Sequence, residues 1–458
     1  MICIITLVAS FFVENFGCRA TQADGAAIEQ QLLERGLLRS ELPHNADVIV
    51  LNTCTVTASA DQDVRASIRR IHRKNPECQI LVTGCYAQRA PEEVAALPGV
   101  TWVLGNSHKH QVAEVAAGSL TTGGSGFVPL GALAGGAPAN GGGVLVGDIF
   151  AHTELTAAPV FGAGAERTRP NLKVQDGCDN RCSFCIIPSV RGQSRSLKLD
   201  EVLREVEALV GAGYREVVIS GINLGRWGRD FEKPMRFAQL VNAIVKSTAL
   251  EKLRISSVEP MDWTEELIAF VAGNPRIAQH AHVPMQSGSD RVLRKMHRKY
   301  RPWHYAEKIR RIRAAMPSAA IGADVMVGFP GESSADFEET RSLVDELPFT
   351  YLHVFTYSSR PGTRSAAMAE QVPVQVARER NRVLRELAAK KKRAFQESFV
   401  GRELEAITLS ERDEHSTEAL TDNYQKLRLA GRHEANRWVR ARVEGMAEEE
   451  LRGVVHSF

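Results

Sequence analysis

The chain of 458 residues is too long for one hydrophobic core and predicts two to four domains. Its content of 44% hydrophobic and 24% charged residues is that of an ordinary soluble globular protein. The net charge of +3 excludes nucleic-acid binding through bulk charge, so any such surface must come from local clusters of basic residues.

Cysteine content and hydropathy narrow the cellular setting. Eight cysteines in so long a chain do not resemble a secreted disulfide framework, and three of them close together favour metal binding in a reducing cytosol. No segment approaches about 18 uninterrupted apolar residues, so we expect no membrane-spanning helix and a cytoplasmic protein. The opening run MICIITLVASFFVENFGC resembles a signal peptide but has no Lys or Arg ahead of its apolar part. A cleaved signal and a misplaced start codon ahead of a first strand both stay open.

Residues 1–117 alternate short apolar runs with amphipathic ones. SFFVENFGC, ADVIVLNTC, CQILVTGC and VTWVLGN are typical of strands, and DGAAIEQQLLERG and DQDVRASIRRIHRKN are typical of helices between them. This alternation predicts a first domain built on an open parallel α/β sheet.

Three of these four strands end at a cysteine, namely Cys18, Cys54 and Cys85. The carboxyl edge of an open parallel sheet is where ligands gather, so the three thiols are predicted to converge there. The alternative is that they are small buried residues of the core, because cysteine is among the most often buried residue types.

Residues 118–165 include GSLTTGGSGFVPLGALAGGAPANGGG, a Gly/Ala-rich stretch with little charge. This composition predicts a linker or a partly disordered insertion. From 166 to 397 the strand–helix rhythm resumes, with candidate strands at NLKVQ, REVVISG, KLRISSV, HAHVPM, AIGADVMVG and YLHVFTY. At least six β/α units predict a full or partial barrel, whose chemistry lies where strands end.

The last segment, 398–458, changes to short alternating strands such as LEAITL, YQKLRL and RWVRARV. This pattern predicts a small OB-like β-barrel. Acidic residues outnumber basic ones there, so contacts to a phosphate backbone would depend on a few placed arginines: Arg428, Arg437, Arg440 and Arg442.

Cys178, Cys182 and Cys185 follow a C-x-x-x-C-x-x-C spacing after the first candidate barrel strand. Zinc sites usually pair two C-x-x-C or C/H units, and the sequence has no second unit nearby. Thiolates at this spacing suit a 4Fe–4S cluster, which needs four ligands, so one iron stays open for a small molecule with an amino and a carboxylate group. A zinc site or a purely structural role is the alternative.

This loop, with Phe184 beside the last cysteine, resembles the radical S-adenosylmethionine (SAM) superfamily. The resemblance implies that the cluster delivers an electron to SAM, which forms a 5′-deoxyadenosyl radical. It also implies a SAM pocket at the other strand ends, where glycine permits close approach and polar groups suit the ammonium and the ribose. The implied pocket residues are Ser220, Gly221, Asn223, Glu259, Gln286 and Ser287. For Asp324 and the turn 328–332 two roles stay open, as part of this pocket or as a structural cap on the barrel.

The order of domains resembles that of the methylthiotransferases: a three-cysteine α/β domain, a radical SAM barrel and a small terminal barrel. The resemblance covers nearly the whole chain except 118–165. The resemblance implies a second 4Fe–4S cluster on Cys18, Cys54 and Cys85. It further implies a TRAM domain that binds RNA, because LTDNYQKLRL is similar to the TRAM signature. The implied partners are SAM, the anticodon loop of tRNA and an electron donor such as flavodoxin or ferredoxin.

Three branches of these enzymes act on isopentenyladenosine in tRNA, on threonylcarbamoyladenosine in tRNA and on an aspartate of a ribosomal protein. NTCTVT (52–57), ENFGCRATQAD (14–24) and RGQSRS (191–196) are most similar to the threonylcarbamoyladenosine branch. That resemblance implies a methylthio group installed at C2 of the modified adenosine at position 37, beside the anticodon. The other two branches, and a non-catalytic RNA-binding protein stabilised by a metal, are the alternatives.

Overall fold

A computed structural model of the chain describes residues 9–121, 142–151, 155, 168–447 and 449–456. The first eight residues, to which the alternatives of a signal peptide or an early start codon apply, lie outside the described residues. Most of the Gly/Ala-rich segment 118–165 also lies outside them. In the described part of the chain, every helix is too short or too polar to cross a lipid bilayer.

The N-terminal strands form a six-stranded parallel sheet in the order β2-β1-β3-β4-β5-β6. The strands are β1 (Ser10–Asn15), β2 (Leu38–Arg39), β3 (Val48–Thr53), β4 (Gln79–Gly84), β5 (Val100–Gly105) and β6 (Gly143–Leu145). The helices between and after them are α1 (Arg19–Glu34), α2 (Ala58–Lys74), α3 (Cys85–Arg89), α4 (Pro91–Ala95) and α5 (Val112–Thr121). The predicted parallel α/β sheet is therefore confirmed.

The two faces of this sheet bury separate cores, because alternate residues of a strand point to opposite sides. Ile49 and Leu51 of β3 pack in one core, to which α2 and α4 contribute. Val48 and Val50 pack in the other, to which α1 and α5 contribute. Helices on both faces explain why β3 is an unbroken buried run rather than an alternating one.

Strand β6 lies inside the segment predicted as a linker or insertion. It pairs in parallel with β5 and extends the sheet by one strand. No strand was predicted there because the apolar run is only three residues long and follows consecutive glycines. Part of the Gly/Ala-rich segment thus belongs to the N-terminal sheet.

The central part of the chain is a curved sheet with six parallel strands and one short antiparallel strand at its edge. These strands are β7 (Asn171–Asp176), the antiparallel β8 (Arg195–Ser196), β9 (Glu216–Gly221), β10 (Lys252–Ile255), β11 (His280–His282), β12 (Ala320–Val327) and β13 (Tyr351–Thr356). β7, β9 and β10 pair in one half and β11, β12 and β13 in the other, and single bridges such as Ser257 to His282 join the halves.

No pairing joins β13 back to β7 among the described residues, so the predicted barrel is a partial one. Helices cover its outer face: α7 (Leu199–Gly211), α8 (Phe237–Ser247), α9 (Glu265–Gly273), α10 (Asp290–Lys295), α11 (Pro302–Ala315), α12 (Ser334–Glu346) and α13 (Val374–Glu397). One continuous apolar core, with Trp227 and Trp263 fully buried, lies between the strands and these helices. The short helix α6 (Ile187–Arg191) instead packs against Cys85 of α3 in the N-terminal part of the chain.

The C-terminal strands close into a five-stranded barrel in the order β14-β15-β16-β18-β17. They are β14 (Glu403–Asp413), β15 (Ser416–Thr421), β16 (Lys426–Ala430), β17 (Trp438–Ala447) and β18 (Glu450–Val455). Alternating small and branched residues, such as Ala406, Leu429 and Val443, fill its interior. The predicted small β-barrel is confirmed.

A buried ionic network fixes the N-terminal sheet against the partial barrel. Asp24 of α1 accepts from Lys109 (2.7 Å), from Arg191 of α6 (3.0 Å) and from Lys173 of β7. Arg191 also makes two 2.9 Å bonds to Asp176 at the end of β7. Burial alone would raise the pKa of Asp24, but the three cations hold it well below its usual range. The network therefore keeps the end of β7 beside the start of α1.

The C-terminal barrel docks on β10 of the partial barrel. Arg254 of β10 donates to the carbonyl oxygens of Thr421 (3.3 Å) and Asp422 (3.1 Å), and Asn423 donates to the carbonyl of Ser318 (3.0 Å). These bonds carry the turn between β15 and β16 to the mouth of the partial barrel.

Candidate functional site

The loop after β7 carries Cys178, Cys182 and Cys185. It leaves the strand through Gly177, whose φ is +69° and whose position allows no side chain, since a Cβ there would lie 1.8 Å from the carbonyl oxygen of Gln193. The amide of Cys178 donates to the carbonyl of Gly192, and the amide of Cys185 donates to that of Cys182. Local backbone geometry thus brings these three cysteines, called here the loop set, to one place.

The N-terminal cysteines converge at the carboxyl edge of their sheet, as predicted. Cys18 precedes α1, Cys54 directly follows β3, and Cys85 directly follows β4, which pairs with β3. Gly17, with φ +104°, lets the Cys18 segment approach, because a Cβ at this residue would lie 2.5 Å from the Cβ of Cys54. We call Cys18, Cys54 and Cys85 the strand-end set.

Burial shifts the pKa of at least one thiol in each set. It raises the pKa of Cys185 and of Cys54 to about 12, with neighbouring cysteines adding to the effect, and it also raises the pKa of Cys178. Such thiols stay protonated near neutral pH unless a cation takes the place of the proton. Both sets are therefore suited to bind metal rather than to act as free nucleophiles.

Side chains around the thiols donate hydrogen bonds to sulfur. In the loop set, Asn223 Nδ2 lies 3.5 Å from Cys178 Sγ and Arg298 Nη1 lies 3.3 Å from Cys182 Sγ. In the strand-end set, Asn106 Nδ2 lies 3.5 Å from Cys85 Sγ. Donors of this kind stabilise negative charge on sulfur, as a metal-bound thiolate requires.

The donor chemistry fits iron–sulfur clusters with three protein ligands each. Neither set has a fourth cysteine beside it within the described chain, since the remaining described cysteine, Cys78, precedes β4 at the opposite edge of the sheet. A structural zinc site would require a fourth protein ligand. Three thiolates with N–H donors to sulfur instead suit a 4Fe–4S cluster with one iron open to another ligand.

One cavity of about 620 Å³ connects the two sets. Cys18 lies on one wall and all three loop cysteines lie on another, while Tyr424 of the C-terminal barrel reaches a third. A cavity of this size accommodates a ligand of cofactor size together with part of a second molecule. All three regions of the chain contribute to it.

Five of the six residues predicted for a SAM pocket line this cavity. They are Ser220, Gly221, Asn223, Glu259 and Gln286. Three of them carry a buried oxygen without a hydrogen-bond partner in the described structure, namely Ser220 Oγ, Asn223 Oδ1 and Gln286 Oε1. Buried polar atoms normally have partners, so these oxygens indicate a surface built to bind a polar ligand.

Ser287 is the exception among the six. It does not line the cavity, and its hydroxyl is 3.2 Å from that of Thr340 in α12 and accepts from the amide of Ser289. Gln286 holds a positive φ of 62°, an uncommon conformation for a residue with a side chain, and the chain turns away after it. Proximity in sequence to Gln286 was therefore a poor guide to the position of Ser287.

Arg298 is a site residue that sequence reasoning did not identify. It is buried and forms an ion pair with Glu259 while it donates to Cys182 Sγ. Glu259 is thus coupled to the loop set through one guanidinium. The signal was weak, because Arg298 stands within a run of basic residues that is typical of a solvated helix end.

The wall opposite the loop set carries a group of histidines and tyrosines that was also missed. His282 of β11 and His353 of β13 lie 3.3 and 3.2 Å from the Asp324 carboxylate on β12, between them. Asp324 therefore lies in the cavity, whereas Glu332 of the turn 328–332 accepts from the amide of Gly328 and caps the barrel. His280 and His282 are two residues apart on one strand and share a face, a signal that the sequence did contain.

Comparison with known proteins identifies two families within the chain. Residues 10–105 match the family described as Uncharacterized protein family UPF0004, and residues 172–344 match the Radical SAM superfamily. These ranges contain the strand-end set and the loop set respectively.

Named relatives match over most of the chain. It is 35% identical over 427 residues to the threonylcarbamoyladenosine tRNA methylthiotransferase MtaB of Aquifex aeolicus, covering 93% of this chain and 98% of that protein. It is 33% identical to the tRNA-2-methylthio-N(6)-dimethylallyladenosine synthase of Saccharopolyspora erythraea, covering 98% of this chain and 88% of that protein.

A solved structure shares the fold. The radical SAM methyltransferase TsrM from Kitasatospora setae, with cobalamin and a [4Fe-4S] cluster bound, aligns with a TM-score of 0.55 at 14% identity. The alignment covers 78% of this chain and 76% of that one.

Proposed function

The chain belongs to the radical SAM tRNA methylthiotransferases, and from this premise we propose that it installs a 2-methylthio group on N6-threonylcarbamoyladenosine at position 37 of tRNA, next to the anticodon. Family membership makes it a transferase that uses SAM and 4Fe–4S chemistry on tRNA. The identity of the base, its position and the roles of individual residues are the proposal.

We assign the two cysteine sets to two 4Fe–4S clusters. Cys178, Cys182 and Cys185 would hold the cluster that binds SAM, and Cys18, Cys54 and Cys85 would hold an auxiliary cluster. When bound, these groups supply reductive cleavage of SAM and the sulfur that is transferred. The chain itself would hold the thiolates in place through Asn223, Arg298 and Asn106.

The single observation that supports the assignment is the common cavity. Cys18 and the loop set face the same space of about 620 Å³, with polar oxygens of Ser220, Asn223 and Gln286 between them. Sulfur held at one centre can be attached to a base activated at the other only if that base reaches both centres in one position. A base inserted into this cavity would satisfy that requirement.

A splayed base from a single-stranded loop is the natural occupant of such a cavity, since its edges can then be read by side chains. The threonylcarbamoyl substituent is favoured by the name of the Aquifex aeolicus relative and by the local motifs at 14–24, 52–57 and 191–196. The cavity wall also includes charged side chains such as Arg19 and Arg254, which suit that polar substituent better than an apolar isopentenyl chain.

Other parts of the proposal rest on the same family membership. We propose that 398–458 is a TRAM-like RNA-binding domain, with 1–117, 118–165 and 166–397 as the preceding units. Because most arginines predicted to contact RNA are engaged by Glu405, Glu434 or Glu450, that domain would act mainly by placing Tyr424 at the cavity. The enzyme would act in the cytoplasm and receive electrons from a donor such as flavodoxin or ferredoxin.

Nucleoside mass spectrometry of tRNA tests the substrate. We expect 2-methylthio-threonylcarbamoyladenosine to disappear from the tRNA of a strain without this gene and to return with the wild-type gene. Persistence of that nucleoside, with loss of a methylthio group from isopentenyladenosine or from a ribosomal protein, would assign the chain to another branch. Colourless anaerobic protein that contains zinc and does not cleave SAM would instead indicate a metal-stabilised RNA-binding protein.

A further inference from the structure

Arg19 is the one arginine of the cavity wall that has no acidic partner among the described residues. It follows Cys18, begins α1 and is half-buried in the wall of the cavity. The described structure contains no hydrogen bond or ion pair of its guanidinium, although its backbone carbonyl accepts from Asn171 (2.9 Å).

The other arginines of the wall are neutralised by carboxylates. Arg254 pairs with Glu216 (2.6 Å), which is also 3.6 Å from Arg169 outside the wall, and Arg298 pairs with Glu259. Arg254 and Arg169 thus share the single carboxylate of Glu216, which leaves no negative charge there for Arg19.

The acidic residues of the wall are also occupied. Glu259 and Asp324 are the carboxylates that line the described cavity, and Asp324 is flanked by His282 and His353. The histidines hold the pKa of Asp324 below its usual range, against the effect of burial, so this carboxylate stays charged and engaged. The described wall therefore has no carboxylate left to pair with Arg19.

Flat, polar side chains line the same cavity as Arg19. Burial is the largest cause that holds the pKa of His280 well below its usual range, followed by the charges of Arg254, His282 and Arg19. His280 bonds the hydroxyl of Tyr351 (2.7 Å) and lies 4.6 Å from the ring of Tyr424, centroid to centroid. His280 is therefore neutral at physiological pH and does not compete with Arg19 as a cation.

We propose that Arg19 is the specificity residue that binds the carboxylate of the threonylcarbamoyl group. This inference rests on the proposed function, because the carboxylate belongs to that substituent. Isopentenyladenosine has no anion to offer, so Arg19 would be left desolvated and unpaired in its presence. Arg19 follows a cysteine of the strand-end set, so a substituent held by it would bring the attached base near that set.

Equilibrium binding of anticodon stem-loop RNA to the anaerobically reconstituted full chain tests this assignment. Three RNAs are compared: one with threonylcarbamoyladenosine, one with its threonyl methyl ester and one with unmodified adenosine. The ester keeps the shape and the urea group but removes the charge. We expect the wild-type enzyme to bind the free acid about tenfold more tightly, or better, than the ester, the range of a charge-assisted hydrogen bond.

Arg19→Gln should abolish this preference, bind the ester as the wild type does, and leave the affinity for SAM unchanged. Arg19→Lys should recover part of the preference, because a lysine keeps the charge but not the bidentate geometry. Arg35→Gln, at the other end of α1, is the matched control and should behave as the wild type. A midpoint of thermal unfolding equal to that of the wild type checks that each variant folds.

Two results would overturn the assignment while the proposed substrate stands. Equal weakening of all three RNAs by Arg19→Gln would identify a contact to the phosphate backbone, and a weaker affinity for SAM would identify the SAM carboxylate as the partner. Retention of the preference by Arg19→Gln would equally exclude Arg19. A wild-type enzyme that neither prefers the free acid nor modifies it would instead refute the substrate itself.

Discussion

The two cysteine sets offer the same three thiols to a metal but are built in opposite ways. The loop set lies within residues 178–185 and is positioned by backbone hydrogen bonds around Gly177 and Gly192. The strand-end set spans residues 18–85 and is assembled by the register of β1, β3 and β4. One set therefore depends on a local turn, and the other depends on a whole sheet. We expect the two to fail separately when they are perturbed.

The largest effect is expected from replacing the loop set. Cys178→Ala, Cys182→Ala and Cys185→Ala together should reduce both 5′-deoxyadenosine formation and methylthio transfer to background, because the cluster that we propose to bind SAM would be lost. Iron and sulfide analysis with a single-turnover assay of SAM cleavage measures this. The strand-end cluster should stay, with about half of the iron, because its ligands come from another sheet. Loss of all iron would show that the sets are not independent.

Replacement of the strand-end set should separate the two activities. Cys18→Ala, Cys54→Ala and Cys85→Ala together should keep reductive SAM cleavage but abolish transfer of the methylthio group to tRNA. The loop set keeps all its own backbone contacts in this variant, which is the physical reason for the retained cleavage. If sulfur insertion persisted, the strand-end set would be a structural group of buried thiols.

The residues of the site differ in how far the sequence alone could identify them. Cys178, Cys182 and Cys185 could be assigned from spacing alone, because a loop this short brings its own residues together. Cys18, Cys54 and Cys85 required the further prediction of a parallel sheet, and the sheet was strongly patterned. Arg298 had only a weak local signal and Tyr424 had none for this cavity, since packing of distant elements brings both residues to it. Ser287 was predicted beside Gln286, but the positive φ of Gln286 directs the chain toward α12.

The buried ion pairs around Asp24 join the N-terminal sheet to the partial barrel. Their loss should affect both cysteine sets, because it lowers the stability of the fold that holds them. Asp24→Asn leaves Lys109, Lys173 and Arg191 without their shared carboxylate, which should lower the free energy of unfolding by about 3–5 kcal/mol. Chemical denaturation of the reconstituted enzyme measures this. Because the pKa of Asp24 is depressed, its contribution is complete above the carboxylate's unfolded pKa of about 4 and is lost only as pH falls through the folded value.

The difference between the wild type and Asp24→Asn should therefore be constant from about pH 6 to pH 8. Glu34→Gln, on the exposed end of the same helix, is the control and should change the free energy of unfolding by no more than about 0.5 kcal/mol. A pH-dependent difference within that window would mean that Asp24 is not held ionised by the network.

Two glycines with positive φ can sharpen the contrast further. Gly17→Ala should cost about 1–2 kcal/mol from backbone strain and, in addition, force its Cβ against Cys54, so the strand-end cluster should be incompletely occupied. Gly36→Ala, at φ +81° with nothing within 4 Å of the added Cβ, isolates the strain alone. Spectroscopic quantification of the two clusters should show a selective loss only for Gly17→Ala. Equal losses in both variants would exclude the contact with Cys54 as the cause.

The smallest effects are expected from the asparagines that donate to sulfur. Asn106→Ala and Asn223→Ala each remove one N–H donor, 3.5 Å from Cys85 Sγ and from Cys178 Sγ respectively. Because such donors stabilise the reduced, more negative cluster, each variant should lower the midpoint potential of its own cluster by roughly 20–60 mV, from a hydrogen bond of about 0.5–1.5 kcal/mol.

The contrast between the sets predicts which variant has the wider consequence. Asn106 also donates to the carbonyl of Val190 (2.7 Å), which lies on α6 of the partial barrel, so its loss loosens a contact between the two regions. Within the described residues, the side chain of Asn223 makes no comparable bond across that boundary. Its backbone N–H donates to the side-chain oxygen of Gln175 in β7 (2.7 Å). Asn106→Ala should therefore lower the unfolding midpoint as well as the potential, whereas Asn223→Ala should lower the potential and leave the unfolding midpoint unchanged. Potentiometric titration and thermal unfolding, measured on both variants, distinguish a bond that tunes a cluster from one that also holds two regions together.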